Sequence, residues 1–130
     1  MTKRNIFISG ASRGIGKSMA IHFANNNFNV VGTSRNNFNF DVESENLFPI
    51  KLDVTSRDDV KKCYEELESK NLLPNILINN AGITADQLFL RMSDDDWDNV
   101  INTNLNGTFN LTKVFLKHMI KNRFGRIINI

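Results

Sequence analysis

Gly10, Gly14 and Gly16 fall within the stretch Gly10-Ala11-Ser12-Arg13-Gly14-Ile15-Gly16, directly after the apolar run Ile6-Phe7-Ile8. The chemistry served by such a turn is the holding of a pyrophosphate. Phosphate oxygens need unblocked backbone N–H groups and the positive end of a helix dipole, so side chains must be absent where strand becomes helix. Gly10 permits the tight turn, Gly14 lets the backbone approach the phosphates, and Gly16 lets the helix pack close to the sheet. Glycine clusters also occur in plain loops, so the neighbouring residues decide between the two readings. Ile15, Met19 and Phe23 recur at helical spacing, Asn25-Asn26-Asn27 breaks that helix, and Val30-Val31-Gly32 reads as a second buried strand. Strand, glycine turn, helix and strand form a nucleotide-binding unit.

Other candidate chemistry is sparse. Cys63 is the only cysteine, which excludes an internal disulfide and a cysteine metal cluster. Its spacing with Val60 and Leu67 puts it on the inner face of a helix, as core packing. His22 and His118 have no carboxylate or cysteine at metal-ligand spacing and read as surface residues of helices. The 16 basic and 14 acidic residues are spread along the chain, and a net charge of +2 makes no electrostatic case for nucleic acid or membrane. Lys3-Arg4 precedes an apolar run too short for an export signal or a membrane span, so a cytoplasmic location is expected.

The elements that must position the glycine turn continue the alternation of strand and helix. Phe48 to Val54 reads as a third strand, with Pro49 near its start. Thr55 or Ser56 can cap a helix whose apolar face is Val60, Cys63, Tyr64 and Leu67, closed by Leu72-Leu73-Pro74. Ile76-Leu77-Ile78 is a fourth strand, short and continuously apolar, as in a parallel sheet covered on both faces. Ser93 with Asp94, Asp95 and Asp96 opens a helix in which Trp97, Ile101, Leu105 and Phe109 form a stripe. Leu111, Phe115 and Met119 extend its apolar surface to a stop at Gly125, and Arg126 to Ile130 begins a fifth strand. With 41% hydrophobic and 23% charged residues in 130, this is one α/β domain with no linker or repeat.

At this point the chain resembles the short-chain dehydrogenase/reductase family over essentially its whole length. The carrying motifs are Gly10 to Gly16, Leu52-Asp53-Val54-Thr55, Asn79-Asn80-Ala81-Gly82 and Asn102-Thr103-Asn104-Leu105, in that order. The stretch Gly82 to Leu88, Arg91-Met92 and Gly125 to Ile128 looks most like the beta-ketoacyl-acyl-carrier-protein reductases of fatty-acid synthesis, and acetoacetyl-CoA reductases look similar. The resemblance implies a doubly wound Rossmann-type parallel sheet, five strands in the order 3-2-1-4-5, reached here only as far as the fifth. The segment Asn36 to Asn46 is shorter than the family's usual helical connection, so that helix is expected to be abbreviated or lost.

The resemblance also assigns roles. Ser12, Arg13 and Ile15 would lie against the pyrophosphate and adenosine, Asp53 would hydrogen-bond the adenine with Val54 offering backbone, and Asn80, Ala81 and Gly82 would line the ribose. The bland alternative for Asp53 is a turn or cap residue. Asn79 is expected to bond backbone between neighbouring strands. Catalysis in the family resembles a relay of tyrosine, lysine, serine and asparagine, and Asn104 matches the asparagine; a helix-interior polar residue is its bland alternative. Tyr64 is the only tyrosine, with Glu68 four residues on, so the serine and Tyr-x-x-x-Lys of the relay are expected beyond Ile130. Residues 1–130 then read as an incomplete NADP-binding Rossmann domain lacking the catalytic portion. By itself it is expected to be inactive and poorly stable, with Ile127, Ile128 and Ile130 on an exposed sheet edge.

Cofactor choice is read from the end of the second strand. NAD binders usually place an acid there for the ribose 2′-OH, whereas this chain has Ser34-Arg35-Asn36, and Arg35 with Arg13 could clamp a 2′-phosphate. NADPH is therefore expected over NADH. Lys113, Lys117, Lys121, Arg123 and Arg126 gather near the end of the long helix, either complementing its dipole or docking an acidic acyl carrier protein at Arg123, near the active-site face. The helix Ser93 to Asn122 carries Val100, Val114, Leu116 and Ile120 beside the Trp97 stripe, and the family implies a dimer or tetramer through it. An NADPH-dependent reductase of beta-ketoacyl thioesters competes with a reading as acetoacetyl-CoA or other family reductase, and with a non-catalytic nucleotide-binding module.

Overall fold

Successive residues of a strand face opposite sides of a sheet, so the continuous burial of Ile6, Phe7 and Ile8 requires cover on both. The computed structural model, which describes residues 3–130, supplies it. The strands are β1 (Asn5–Ser9), β2 (Asn29–Ser34), β3 (Leu47–Lys51), β4 (Ile76–Asn79) and β5 (Arg126–Asn129). All pair in parallel in the order β3-β2-β1-β4-β5. The helices are α1 (Gly14–Asn25), α2 (Arg57–Ser69), α3 (Asp94–Ile101) and α4 (Gly107–Lys121). Phe7 packs with Val31 and Leu77 against Cys63 and Leu67 of α2 and Leu111, Phe115 and Met119 of α4. Ile6 and Ile8 pack with Val30 and Ile78 against Ala20 and Ala24 of α1 and against Phe40.

The fold is the doubly wound parallel sheet that the motifs imply, with several local differences. β3 ends at Lys51 rather than Val54, although Leu52 N–H still donates to Ser34 O at 2.9 Å. No helix joins β2 to β3. In α1 the buried residues are Gly16, Ala20 and Ala24, not the stripe of Ile15, Met19 and Phe23. Small side chains let the helix lie close to the sheet, and the larger ones flank that seam.

The long helical segment departs most from its expected pattern. Asn102–Asn106 forms a π turn between α3 and α4, which adds a residue per turn and moves the helical faces out of phase. Thr103, Gly107, Leu111, Phe115 and Met119 therefore face the sheet, while Trp97, Leu105 and Phe109 are exposed. Helix starts follow ordinary capping: Ser56 Oγ accepts from Asp59 N–H at 3.2 Å, and Ser93 Oγ from Asp96 N–H at 3.0 Å. Among the described residues no helix is long and apolar enough to cross a membrane.

Candidate nucleotide-binding site

The carboxyl ends of β1 to β4 converge on a cavity of about 540 Å³. Its floor is the glycine turn. Gly10 has φ +68°, and a Cβ there would stand 2.9 Å from Ala81 Cα. At Gly16 a Cβ would stand 2.0 Å from Gly10 O, so only glycine lets α1 begin beneath the turn. Gly14, at φ +59°, has no atom within 4 Å of such a Cβ and opens onto the cavity.

Hydrogen bonds lock this turn to its neighbours. The Ser9 hydroxyl accepts from the N–H groups of Asn80 at 3.0 Å and Ala81 at 2.9 Å. Asn80 Nδ2 donates to Gly10 O at 3.0 Å, and Ala11 N–H to Thr33 O at 2.8 Å. Asp53 Oδ1 accepts from Thr55 N–H at 3.0 Å and from the Thr55 hydroxyl at 2.7 Å, so the turn role and the cavity position coexist in one residue. Behind it, Asn110 Nδ2 donates to Val54 O at 3.0 Å. Gly107 leaves room for Val54, whose Cγ2 lies 2.7 Å from where a Cβ would be.

Electrostatics and helix ends point to an anion. α2 and α3 each open on a serine cap with two or three aspartates in the first turn. α1 opens on Arg13 with no side-chain cap and no acid, so its first N–H groups and its dipole are left for something else. Arg13 and Arg35 both border the cavity, against the single carboxylate of Asp53. Unblocked donors, a free helix start and two guanidinium groups fit a phosphorylated nucleotide.

A family model for short chain dehydrogenases matches residues 4–130. The chain belongs to that family. Among curated relatives of the chain, 3-oxoacyl-[acyl-carrier-protein] reductase FabG of Thermotoga maritima is 42% identical over 130 residues, covering 95% of this chain and 53% of the relative. A short chain dehydrogenase from Leptospira borgpetersenii, solved with bound NAD+, superposes with a TM-score of 0.91 at 28% identity, covering 99% of this chain and 51% of that one. ElxO with NADP bound gives a TM-score of 0.89 at 35% identity, over 98% of this chain and 55% of its own. The chain thus spans about half the length of the relatives it matches.

Of the residues expected from sequence, Gly10, Ser12, Arg13, Gly14, Ile15, Arg35, Asp53, Val54, Asn80, Ala81 and Gly82 border the cavity. Gly16 lies beneath it, and Ser34 accepts from Asn36 N–H at 3.4 Å just behind the rim. Asn104 does not line it. Its Oδ1 accepts from Ile83 N–H at 2.9 Å and its Nδ2 donates to Ile83 O at 3.0 Å, so it clamps the loop after β4, and Ile83 borders the cavity. Asn79 bonds side chains rather than backbone: its Nδ2 donates to Thr112 Oγ1 at 3.2 Å and Asn129 Oδ1 at 2.8 Å. Arg123 is not near the cavity. It precedes Arg126, which pairs with Ile76 at the amino-terminal edge of the sheet, the edge opposite the glycine turn.

Sequence reasoning missed Ser9, Thr33, Asn36, Leu52, Ile83 and Thr103. Ser9 carried a signal, since a hydroxyl ending an otherwise apolar buried strand needs partners. Cys63 is buried in the core as expected, its thiol pushed up to about 12 by burial and then by Glu66. His22 is exposed, whereas His118 is half-buried, its pKa lowered by burial and then by Lys121 against a smaller opposing effect of Glu68. No group of three His, Cys, Asp or Glu side chains among the described residues is arranged for a metal.

Proposed function

We propose that this chain supplies the NADPH-binding half of a reductase that converts a beta-ketoacyl thioester to the beta-hydroxyacyl thioester in fatty-acid synthesis. The observation that carries the nucleotide part is the uncapped start of α1 beneath the glycine turn, with Arg13 and Arg35 on the same cavity. The likeness to FabG of Thermotoga maritima supports the substrate class. NADPH supplies a hydride to the ketone carbon when bound, and the carbonyl oxygen then needs a proton. In this chain Ser12, Gly14 and the first turn of α1 would bind the pyrophosphate, Asp53 the adenine, and Asn80 to Gly82 the ribose. Arg35 and Arg13 would take the 2′-phosphate, and Asn104 would hold the loop that carries Ile83. The proposed partner is an acyl carrier protein, whose contact is not placed at Arg123, since that residue lies at the edge of the sheet away from the cavity, and the assembly is a homo-oligomer.

A second reading, a nucleotide-binding module without turnover, fits the 130 residues taken alone. Tyr64, the only tyrosine, lies on α2 and packs against Phe115, where it cannot serve a carbonyl at the cavity. The two readings share one test. The 130-residue chain is titrated with NADPH and NADH and assayed with an acetoacetyl thioester. NADPH is expected to bind more tightly, by roughly ten- to a hundredfold if one charge-assisted phosphate contact decides it. Turnover is expected to stay at the no-enzyme level, because general acid catalysis worth about 10²- to 10⁴-fold has no donor here. Equal affinities would overturn the cofactor assignment, and turnover would overturn the division of labour.

A further inference from the structure

The connection between β2 and β3 has no helix, yet its middle is anchored. Phe40 is 3% exposed and shares an apolar cluster with Ile8, Ala11 and Ala20. Its ring takes the space that a side chain on Gly32 would need: a Cβ there would stand 2.6 Å from Phe40 Cζ and 2.8 Å from Ala11 Cβ. Phe38 meets the ring edge-on at 5.2 Å. The next residue, Asp41, is left-handed at φ +58°, with its N–H donated to Asn39 Oδ1 at 3.0 Å and its carboxylate 3.1 Å from Lys17 Nζ of α1. A non-glycine residue keeps such a φ only where its surroundings hold it there. The plug therefore sits where the phosphate turn meets the end of β2, just beyond Arg35 and Asn36, which border the cavity.

We propose that Phe40, pinned by the Lys17–Asp41 ion pair, is a positioning residue that holds Arg35 and Asn36 at the cavity mouth and so sets the preference for adenosine bearing a 2′-phosphate. The proposal rests on the nucleotide reading above. Neither Phe40, Lys17 nor Asp41 borders the cavity, so each must act through the segment it holds. A guanidinium on an untethered connection would lose its orientational freedom on binding, and one held in place loses less.

The experiment titrates the chain with adenosine 2′,5′-bisphosphate and adenosine 5′-phosphate, which differ only in the 2′-phosphate, and follows folding by thermal unfolding. The parent is expected to favour the bisphosphate by about tenfold or more, and Arg35→Ala to remove that preference. Phe40→Ala is expected to bring it within about threefold of unity, whereas Phe40→Leu, which refills most of the plug, retains it. Lys17→Met and Asp41→Ala, both surface changes that fold whatever Phe40→Ala does, should each lower the ratio roughly two- to fivefold. Direct attraction to phosphate would move these two in opposite directions, whereas loss of a pin moves them together. A parent that binds neither nucleotide overturns the nucleotide reading, one that binds both equally overturns the assignment of the 2′-phosphate, and this proposal falls with either. A parent whose preference depends on Arg35 but survives Lys17→Met and Asp41→Ala unchanged, or shifts oppositely in them, overturns the proposal alone.

Discussion

Gly14 and Gly16 lie two residues apart and do different work. A methyl at position 16 would meet Gly10 O at 2.0 Å, a backbone atom that cannot move without breaking the turn. Gly16→Ala is expected to destabilise the fold by about 1–3 kcal/mol, as overpacking does, and to weaken nucleotide binding as well. At Gly14 there is open space, so Gly14→Ala costs only the left-handed backbone, about 1–2 kcal/mol, while its methyl enters the cavity. Urea unfolding beside nucleotide titration separates the two, since the ratio of binding loss to stability loss should be larger at Gly14. Cys63 makes a pH prediction. Its folded pKa of about 12 stands above the ordinary thiol value of 9.0, raised by burial and then by Glu66, so only the unfolded chain gives up this proton between those values. Its contribution is whole below pH 9.0 and falls as pH rises through that window toward about 12, at about 1.4 kcal/mol per unit. Cys63→Ser or Cys63→Ala should flatten that part of the stability curve, and the native thiol should resist aromatic disulfide reagents at pH 8 until the chain is unfolded.

At the scale of elements, the π turn at Asn102–Asn106 joins the helix to the cavity. It directs Asn104 at the backbone of Ile83, which it holds through both its amide groups. Asn104→Ala is expected to cost about 1 kcal/mol net and to speed hydrogen exchange at the Ile83 amide, with Asn104→Asp keeping the acceptor bond only. Unchanged exchange at Ile83 would show that the clamp does not order the loop. This residue also marks how far sequence reading reaches. The motif singled out Asn104 and the glycine spacing singled out the turn, because both depend on residue type at short separation. The partner of Asn104 was not legible, and although Leu111, Phe115 and Met119 read correctly as the buried apolar surface, the exposure of Trp97, Leu105 and Phe109 did not, because one π turn overrides a strict 3.6-residue period. The same holds for α1, whose small residues are fully buried against the sheet while Met19 and Phe23 pack half-buried beside them and Ile15 is exposed. Phe40 and Ser9 were passed over because their partners, Gly32 and the backbone of Asn80, are defined by sheet order and not by neighbouring residues.

The molecule keeps two of its unsatisfied surfaces apart: the cavity lies at the carboxyl edge of the sheet, and the outer face of α4 looks away from it. On that face Phe109, Leu116 and Ile120 are 51%, 41% and 67% exposed, at a spacing that puts them on one side of the helix, opposite Leu111 and Phe115. Lys113 covers part of the Phe109 ring at 5.6 Å and leaves the rest bare. Fully burying side chains of this size is worth about 1.5–3 kcal/mol each, and a two-fold pairing of identical faces counts every contact twice. Self-association through α4 is therefore expected at micromolar concentration, read by sedimentation velocity, with Leu116→Glu or Phe109→Glu shifting the chain to monomer. The exposed strand β5 offers a competing route, since Ile127 and Ile128 are 38% and 45% exposed. Pairing along β5 would be left untouched by the α4 charges, whereas pairing through α4 is abolished by them. A parent chain that stays monomeric, or assembles equally well with both glutamates in place, rules out the α4 face as the interface.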